Sequence, residues 1–215
     1  MPQRTLSQMR SMVWAALDNN TGFYPQAEVT GALNEQVRVA NLFVGFIQDS
    51  ATITTQAGRY FYAIPAPMVI PLAVSIDGKR LNRCAFPTLA RRNRNWLKET
   101  TANSGPVMTW VPLGIRRLAI YPADAIGGHT LTVEGVVDPT PLVNGTDVVD
   151  AADEALDGIQ QMAVHVLQLK EGGKIFADST SQYQNFLRQM KLMEMYDDVK
   201  HPRFFLEKQQ VKEGG

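Results

Sequence analysis

Three histidines, one cysteine and a run of arginines are the residues through which this chain could do chemistry. His129, His165 and His201 have no second His, Cys or carboxylate at a metal-ligand spacing, and the patterns HExxH and CxxC are absent. Cys84 is the only cysteine, so neither a disulfide framework nor a cysteine-rich zinc site can form, and a reducing compartment is compatible. Glu171-Gly172-Gly173-Lys174 resembles part of a phosphate loop. It lacks the second half of that pattern and follows a helical stretch instead of preceding one. No GxSxG nucleophile elbow and no GxGxxG dinucleotide turn occurs. These residues lead to the expectation of a non-enzyme with no cofactor and no bound metal. His129 falls in a turn, where a hydrogen-bonding role is expected, and His165 falls at the edge of a helix's apolar face.

Two stretches point to contacts with partners. In "ARRNRNWLK", Arg91, Arg92, Arg94 and Lys98 surround Trp96. Basic side chains interleaved with an aromatic ring can grip phosphates and stack on a base. The same composition also makes a solvated loop or the rim of a protein interface, and that reading is preferred. In the polar end of the chain, "KHPRFFLEKQQVKEGG", the apolar knot Phe204-Phe205-Leu206 cannot bury itself. It either folds back on the protein or docks on a partner.

The elements that would position these residues follow from periodicity. Leu6, Met9, Val13, Ala16 and Leu17 share one helical face. After "DNNTGFYP", Pro25 suits the first turn of a second helix over about 26–48, striped by Val29, Leu33, Val37, Ala40, Phe43, Val44 and Ile47. Gly31 and Gly45 fall inside that stretch, each costing on the order of 1 kcal/mol against Ala, and close helix packing is the expected reason.

From Ala51 the period changes to 2. "ATITTQAGRYFYAI" and "MVIPLAVSIDGKRL" read as hairpins, the second turning at Asp77-Gly78. Val107–Val111, Ile115–Tyr121 and His129–Val137 read as further strands, with Gly127-Gly128 turning between the last two. After Asp138-Pro139-Thr140-Pro141 the helical period returns. Ala152, Ala155, Leu156, Ile159, Met162, Ala163 and Val166 stripe a helix over about 150–171, with Asp150, Asp153 and Glu154 at the positive end of its dipole. Gly172-Gly173 ends it, and Asp178 or Ser179 caps a fourth helix striped by Tyr183, Phe186, Leu187, Met190 and Met193.

Two amphipathic helices alone bury too little apolar surface to be stable. All four closed into one bundle give each stripe a partner. The expected fold class is therefore α+β: a four-helix bundle from the N- and C-terminal segments with an inserted antiparallel β-sandwich or barrel-like domain. The bundle takes 1–50 and 142–198, the β domain 51–141 and an extended tail 199–215.

Composition sets the outer limits. The 215 residues are 45% hydrophobic and 20% charged, which suits an ordinary globular chain. The 21 basic and 21 acidic residues cancel, so no whole-chain field selects a polyanion. Their placement is uneven: ten basic against five acidic residues in 51–141, and eight against twelve in 142–215. The start lacks an apolar h-region, so no secretory signal is expected. The longest apolar stretch, "AIPAPMVIPLAVSI", carries three prolines and is too short to span a bilayer as a helix, so no membrane partner is expected. Asn19-Asn20-Thr21 and Asn144-Gly145-Thr146 fit glycosylation sequons but read better as turns.

The order of "LSQMRSMVWAALDN", "TGFYPQAEVTGALNEQVRVAN", "YFYAIP", "LAVSIDGKRL" and "IRRLAIYPADAIGGHTLTVEGVVDPTPLV" resembles the head-to-tail adaptor (connector, or neck) proteins of tailed bacteriophages, over residues 4–195. The resemblance implies a virion structural protein assembled in the host cytoplasm. It implies a ring of self-copies, usually twelve, beneath the portal protein, extending a channel for genomic DNA and bearing tail or nozzle proteins. It casts Phe204, Phe205 and Leu206 as candidate portal anchors. The basic 91–98 stretch matches nothing in that family pattern and could touch a neighbour, DNA or a tail protein. The alternative is a β-sandwich module with helical flanks that binds glycan or nucleic acid.

Overall fold

The computed structural model describes residues 4–92, 94–96, 105–114, 116–149, 151 and 153–200, apart from the side chains of 92, 153–154 and 193–200. The chain is an α+β protein of two compact units: Met1–Phe46 with Pro139–Gly215, and Ile47–Asp138.

In the first unit, helix α1 (Leu6–Ala16) begins with a reciprocal capping box. Thr5 Oγ1 accepts the Gln8 N–H, and the Gln8 side chain accepts the Thr5 N–H. Helix α2 (Gln26–Val44) starts at Pro25, whose ring pre-sets φ, and stops where Gly45 turns left-handed at φ 71°. Helix α4 (Asp153–Gln168) and helix α6 (Thr180–Lys200) are joined through the six-residue α5 (Gly173–Asp178).

One core runs through all four long helices. It holds Leu6, Met9 and Val13 of α1, Val29, Leu33, Val37 and Ala40 of α2, Ala155, Leu156, Ile159, Ala163 and Leu167 of α4, and Phe186 and Met190 of α6. Polar stitches join the same two stretches of sequence. Leu6 N–H donates to the Asp147 carbonyl at 2.8 Å, and Ser7 N–H to the Gly145 carbonyl at 3.0 Å. The Asn34 side chain both donates to the Leu142 carbonyl and accepts the Leu142 N–H, at 3.0 and 2.8 Å. Lys170 Nζ pairs with Glu28 at 2.9 Å, and Arg4 pairs with Asp157.

Two expectations about α2 need correcting. Gly45 lies beyond the helix as its left-handed cap and not within it. Gly31 is within it, but a Cβ there would meet nothing within 4 Å, so among the described residues no close packing requires glycine.

The second unit is a sandwich of two four-stranded sheets. Strands β1 (Gln48–Thr54), β3 (Met68–Ile76), β4 (Lys79–Arg80) and β8 (Thr130–Val137) form one, in the order β1-β8-β3-β4. Strands β2 (Phe61–Ala63), β5 (Asn82–Arg83), β6 (Thr109–Leu113) and β7 (Arg117–Tyr121) form the other, in the order β2-β7-β6-β5. All pairs are antiparallel except β5 with β6, which is parallel and makes the second sheet mixed. Tyr62, Met68, Val74, Trp110, Leu118, Ile120, Leu131 and Val133 belong to the core of the sandwich.

Of the expected hairpins, only the second forms. Asp77 and Gly78, at φ 47° and 78°, make the two-residue turn between β3 and β4. The stretch "ATITTQAGRYFYAI" instead carries the chain from one sheet to the other, since β1 pairs with β8 and β2 with β7. Gly127-Gly128 likewise sits in a crossover, between β7 in one sheet and β8 in the other. Turn signals were present in both places, but the strands they join find their partners elsewhere.

The β3–β8 ladder slips between Met68 and Ile70 and again between Pro71 and Ala73, and such irregularities accommodate a proline that cannot donate to the ladder. Gly135 pairs with Pro71 in this ladder, and a Cβ on it would fall 2.1 Å from the Ile70 carbonyl oxygen and 2.9 Å from Pro71 Cα. Backbone cannot swing aside as a side chain can. Gly135→Ala is expected to destabilise the β unit by about 1–3 kcal/mol, read as a lower denaturant midpoint for tryptophan fluorescence.

Candidate interaction surfaces

The basic stretch is reached through helix α3 (Phe86–Arg92) and the turn after it. Strands β6 and β7 are apolar on both faces: Trp110, Leu118 and Ile120 point into the sandwich core, while Val111 and Ala119 point outward. A strand buried on both faces needs a cover on each. Here Leu89 and Trp96 supply the second cover, packing with Val111 and Ala119. Trp96 is buried and meets Tyr60, Phe61, Phe86 and Tyr121 edge-on, with ring centroids 5.7–6.4 Å apart. Its ring is therefore not an open platform for a nucleobase, which corrects that reading of the stretch. Arg91 and Arg94 are exposed around this anchor. Lys98 and the Arg92 side chain lie outside the described residues, as do Phe204, Phe205, Leu206, Asp150, Ala152 and His201 and the side chains of Asp153, Glu154 and Met193.

The densest polar cluster, Thr55, Asp77, Asp124 and His129, ties three loops of the β unit together. Thr55 Oγ1 donates to the buried Asp124 carboxylate at 2.5 Å and accepts the His129 N–H at 2.9 Å. Asp124 also accepts the Ile126 N–H at 3.1 Å. The His129 ring places Nδ1 2.5 Å from Asp77 and Nε2 3.8 Å from Asp124, and Asp77 accepts the Thr130 N–H at 2.9 Å.

The charges respond to one another. His129 is raised above its ordinary 6.5 by the hydrogen bond to Asp77 and then by the charge of Asp124. Asp77 is lowered below 3.8, first by the Thr130 N–H and then by His129. Burial pushes Asp124 up. The hydrogen bonds from Thr55 and from the Gly127 and Ile126 backbone outweigh it, and the net direction is down. The Thr55 hydroxyl is held by the Asp124 carboxylate, and the imidazole faces that carboxylate and Asp77. Such a cluster latches loops and leaves no nucleophile paired with a free base. His129 lies in the hydrogen-bonding turn that the sequence predicts, and its partners Asp77 and Asp124 come from elsewhere in the chain. The signal for Asp124 was present, since an Asp two residues before Ile126 and ahead of Gly-Gly is Asx-turn chemistry.

His165 is likewise structural. It stacks on Phe176 and Tyr183, with centroids 4.8 and 5.6 Å away, and its Nδ1 lies 2.6 Å from Ser179 Oγ. Asn144-Gly145-Thr146 is turn chemistry: Asp147 accepts the Val143 and Asn144 N–H groups, each at 2.8 Å. Among the described residues no three His, Cys, Asp or Glu side chains converge to hold a metal ion, and no helix is long and apolar enough to cross a membrane.

Two further surface features lie outside these clusters. Ile126, at the tip of the β7–β8 crossover, is 81% exposed. In the helical unit, a cleft of about 180 Å³ opens between α2 and the 139–141 segment, lined by Gly31, Asn34, Val37, Pro139 and Pro141.

The sequence matches the family model for SU10 adaptor protein over residues 4–203, across both units, and the chain belongs to that family. It is thus a phage adaptor-type protein, a virion component. No curated protein sequence matches the chain.

The latch gives a pH dependence. His129, raised in the folded state, contributes stability that is complete below 6.5 and is lost as pH rises through its folded value. Asp77 and Asp124, lowered, contribute stability that is complete above 3.8 and is lost as pH falls through their folded values. The β unit is therefore expected to melt highest between these limits. His129→Ala is expected to abolish the decline on the alkaline side, measured by fluorescence-monitored thermal unfolding across pH.

Proposed function

We propose that this adaptor acts at the head-to-tail junction of a tailed phage. It forms a ring, of about twelve copies by resemblance, beneath the portal protein, extends the DNA channel and offers a platform to tail or nozzle proteins. The observation that carries this reading is the family match over 4–203, which takes in the terminal helices and the inserted β unit together. A closed ring needs each copy to present two different, complementary faces. The charge distribution supports this. Residues 47–138 hold ten basic and six acidic side chains, so the neutral chain leaves the helical unit with the opposite balance.

Genomic DNA passes the ring without sequence-specific contacts in this reading. Arg91 and Arg94, with Arg92 and Lys98 beside them in sequence, are contact residues for a neighbouring protein or for DNA phosphates, and Trp96 is the anchor of the element that carries them. Phe204, Phe205 and Leu206 are the portal anchor, because an apolar triplet in so polar a terminal stretch gains most by docking on a partner.

The test is electron microscopy of the chain alone and mixed with its portal. Rings attached to the portal are expected. Phe204→Ala with Phe205→Ala is expected to prevent attachment while leaving the helical circular dichroism unchanged. Normal attachment of the double variant refutes the anchor, and failure of the unaltered chain to bind any portal refutes the junction role.

A further inference from the structure

Gly31 sits in the middle of α2, where glycine costs on the order of 1 kcal/mol against Ala. Among the described residues nothing requires it, because its missing Cβ would meet no atom within 4 Å. What the absent side chain does is keep open one wall of the α2 cleft. That cleft is a fixed feature: the two hydrogen bonds between Asn34 and the Leu142 backbone hold the Pro139–Pro141 segment against the helix. Val37 and the two prolines give it an apolar floor, Glu35, Arg38 and Thr140 complete its lining, and it has room for a branched aliphatic side chain.

The β unit carries an apolar side chain held out in solvent. Ile126 is the most exposed large hydrophobic among the described residues, and its loop is braced on both sides. Before it, Asp124 accepts its N–H. After it, Gly127 and Gly128 turn at φ 77° and 82°, and a Cβ on Gly127 would lie 2.6 Å from the Ala57 nitrogen. A loop already in one conformation loses little entropy on binding. The charges favour bringing the two features together across copies. The β unit, with ten basic and six acidic residues, is attracted to the helical unit of another molecule, while like units repel.

We propose that Ile126 of one copy seats in the cleft between α2 and Pro139–Pro141 of a second copy. Knob and cleft are different surfaces, so the contact is heterologous: each copy uses its knob on one neighbour and its cleft on the other, and a ring results where the rotation closes. The proposal rests on the ring reading above and assigns the residues that join neighbours in it.

The experiment uses the full chain with Cys84→Ser. Ile126→Cys is placed on one population and Thr140→Cys, at the exposed mouth of the cleft, on another. Mild oxidation of the mixture is expected to give disulfide-linked pairs, and a chain carrying both substitutions a ladder of higher oligomers. Neither population alone is expected to cross-link. In the unmodified background, Ile126→Asp and Gly31→Leu are each expected to weaken self-association about tenfold or more by mass photometry. Neither lowers the unfolding temperature, because both positions face open space. Rings that form on the portal or free, without the cross-link and undisturbed by Ile126→Asp, overturn the knob-and-cleft contact and leave the ring reading intact. A chain that stays monomeric both free and with its portal overturns both.

Discussion

The helical unit depends on one apolar core to which both ends of the chain must contribute. The stripes of α1 and α2 would face water if left to themselves, and so would that of α4. A pair of helices this size gains too little from burial to offset its ordering. The solution is a shared interior in which Val29, Leu33 and Val37 meet Leu156, Ile159 and Leu167, with Phe186 and Met190 closing one side. The stitches at Leu6, Ser7, Asn34 and Lys170 place donors and acceptors from one terminal stretch onto the other. No residue of that core comes from the stretch between Phe46 and Pro139.

The β unit has a core of its own. Its second sheet is apolar on both faces, so it is covered by the opposite sheet on one side and by Leu89 and Trp96 on the other. Covering the outer face with a short helix and a tryptophan brings Arg91 and Arg94 to the surface. The opposite strategy operates at the β7–β8 crossover, where a buried carboxylate, a histidine and two glycines hold a loop still and leave an isoleucine in solvent. Both devices fix a surface.

What could be read in the sequence was what local physics determines. The buried part of the helical stripes and the Asp77-Gly78 turn depend on residues within a few positions of one another, and these appear in the structure. Gly45, expected inside α2, caps it instead, and Gly172-Gly173, expected to end a helix of about 150–171, open α5 after α4 has stopped at Gln168. Non-local pairing was not readable in the same way. Gln56–Gly58 and Gly127-Gly128 do turn the chain, but whether a turn makes a hairpin depends on where β1, β2, β7 and β8 find hydrogen-bond partners, and those partners lie far off in sequence. Trp96 was read as a surface ring because its neighbours are basic. The contrary signal was in "TWVPL" and "RLAIY", whose unbroken apolar runs require a cover on both faces. Gly31 was read as a packing glycine because the chain alone gives no view of the open space beside it, and Ile126 belongs to no periodic pattern at all. The family resemblance depended on the order of many weak segments and fits the match over 4–203, while the anchor residues 204–206 lie beyond that match.

The central claim is that the terminal segments are halves of one cooperative core. Native-state hydrogen exchange on Ile159→Ala tests it directly, since Ile159 is fully buried in α4 among side chains from all the long helices. A shared core predicts that amides of α1, α2 and α4 lose protection together, by one common free energy of about 2–5 kcal/mol. Loss confined to α4, with α1 and α2 protected as before, would show that the two ends of the chain fold independently and would contradict the account.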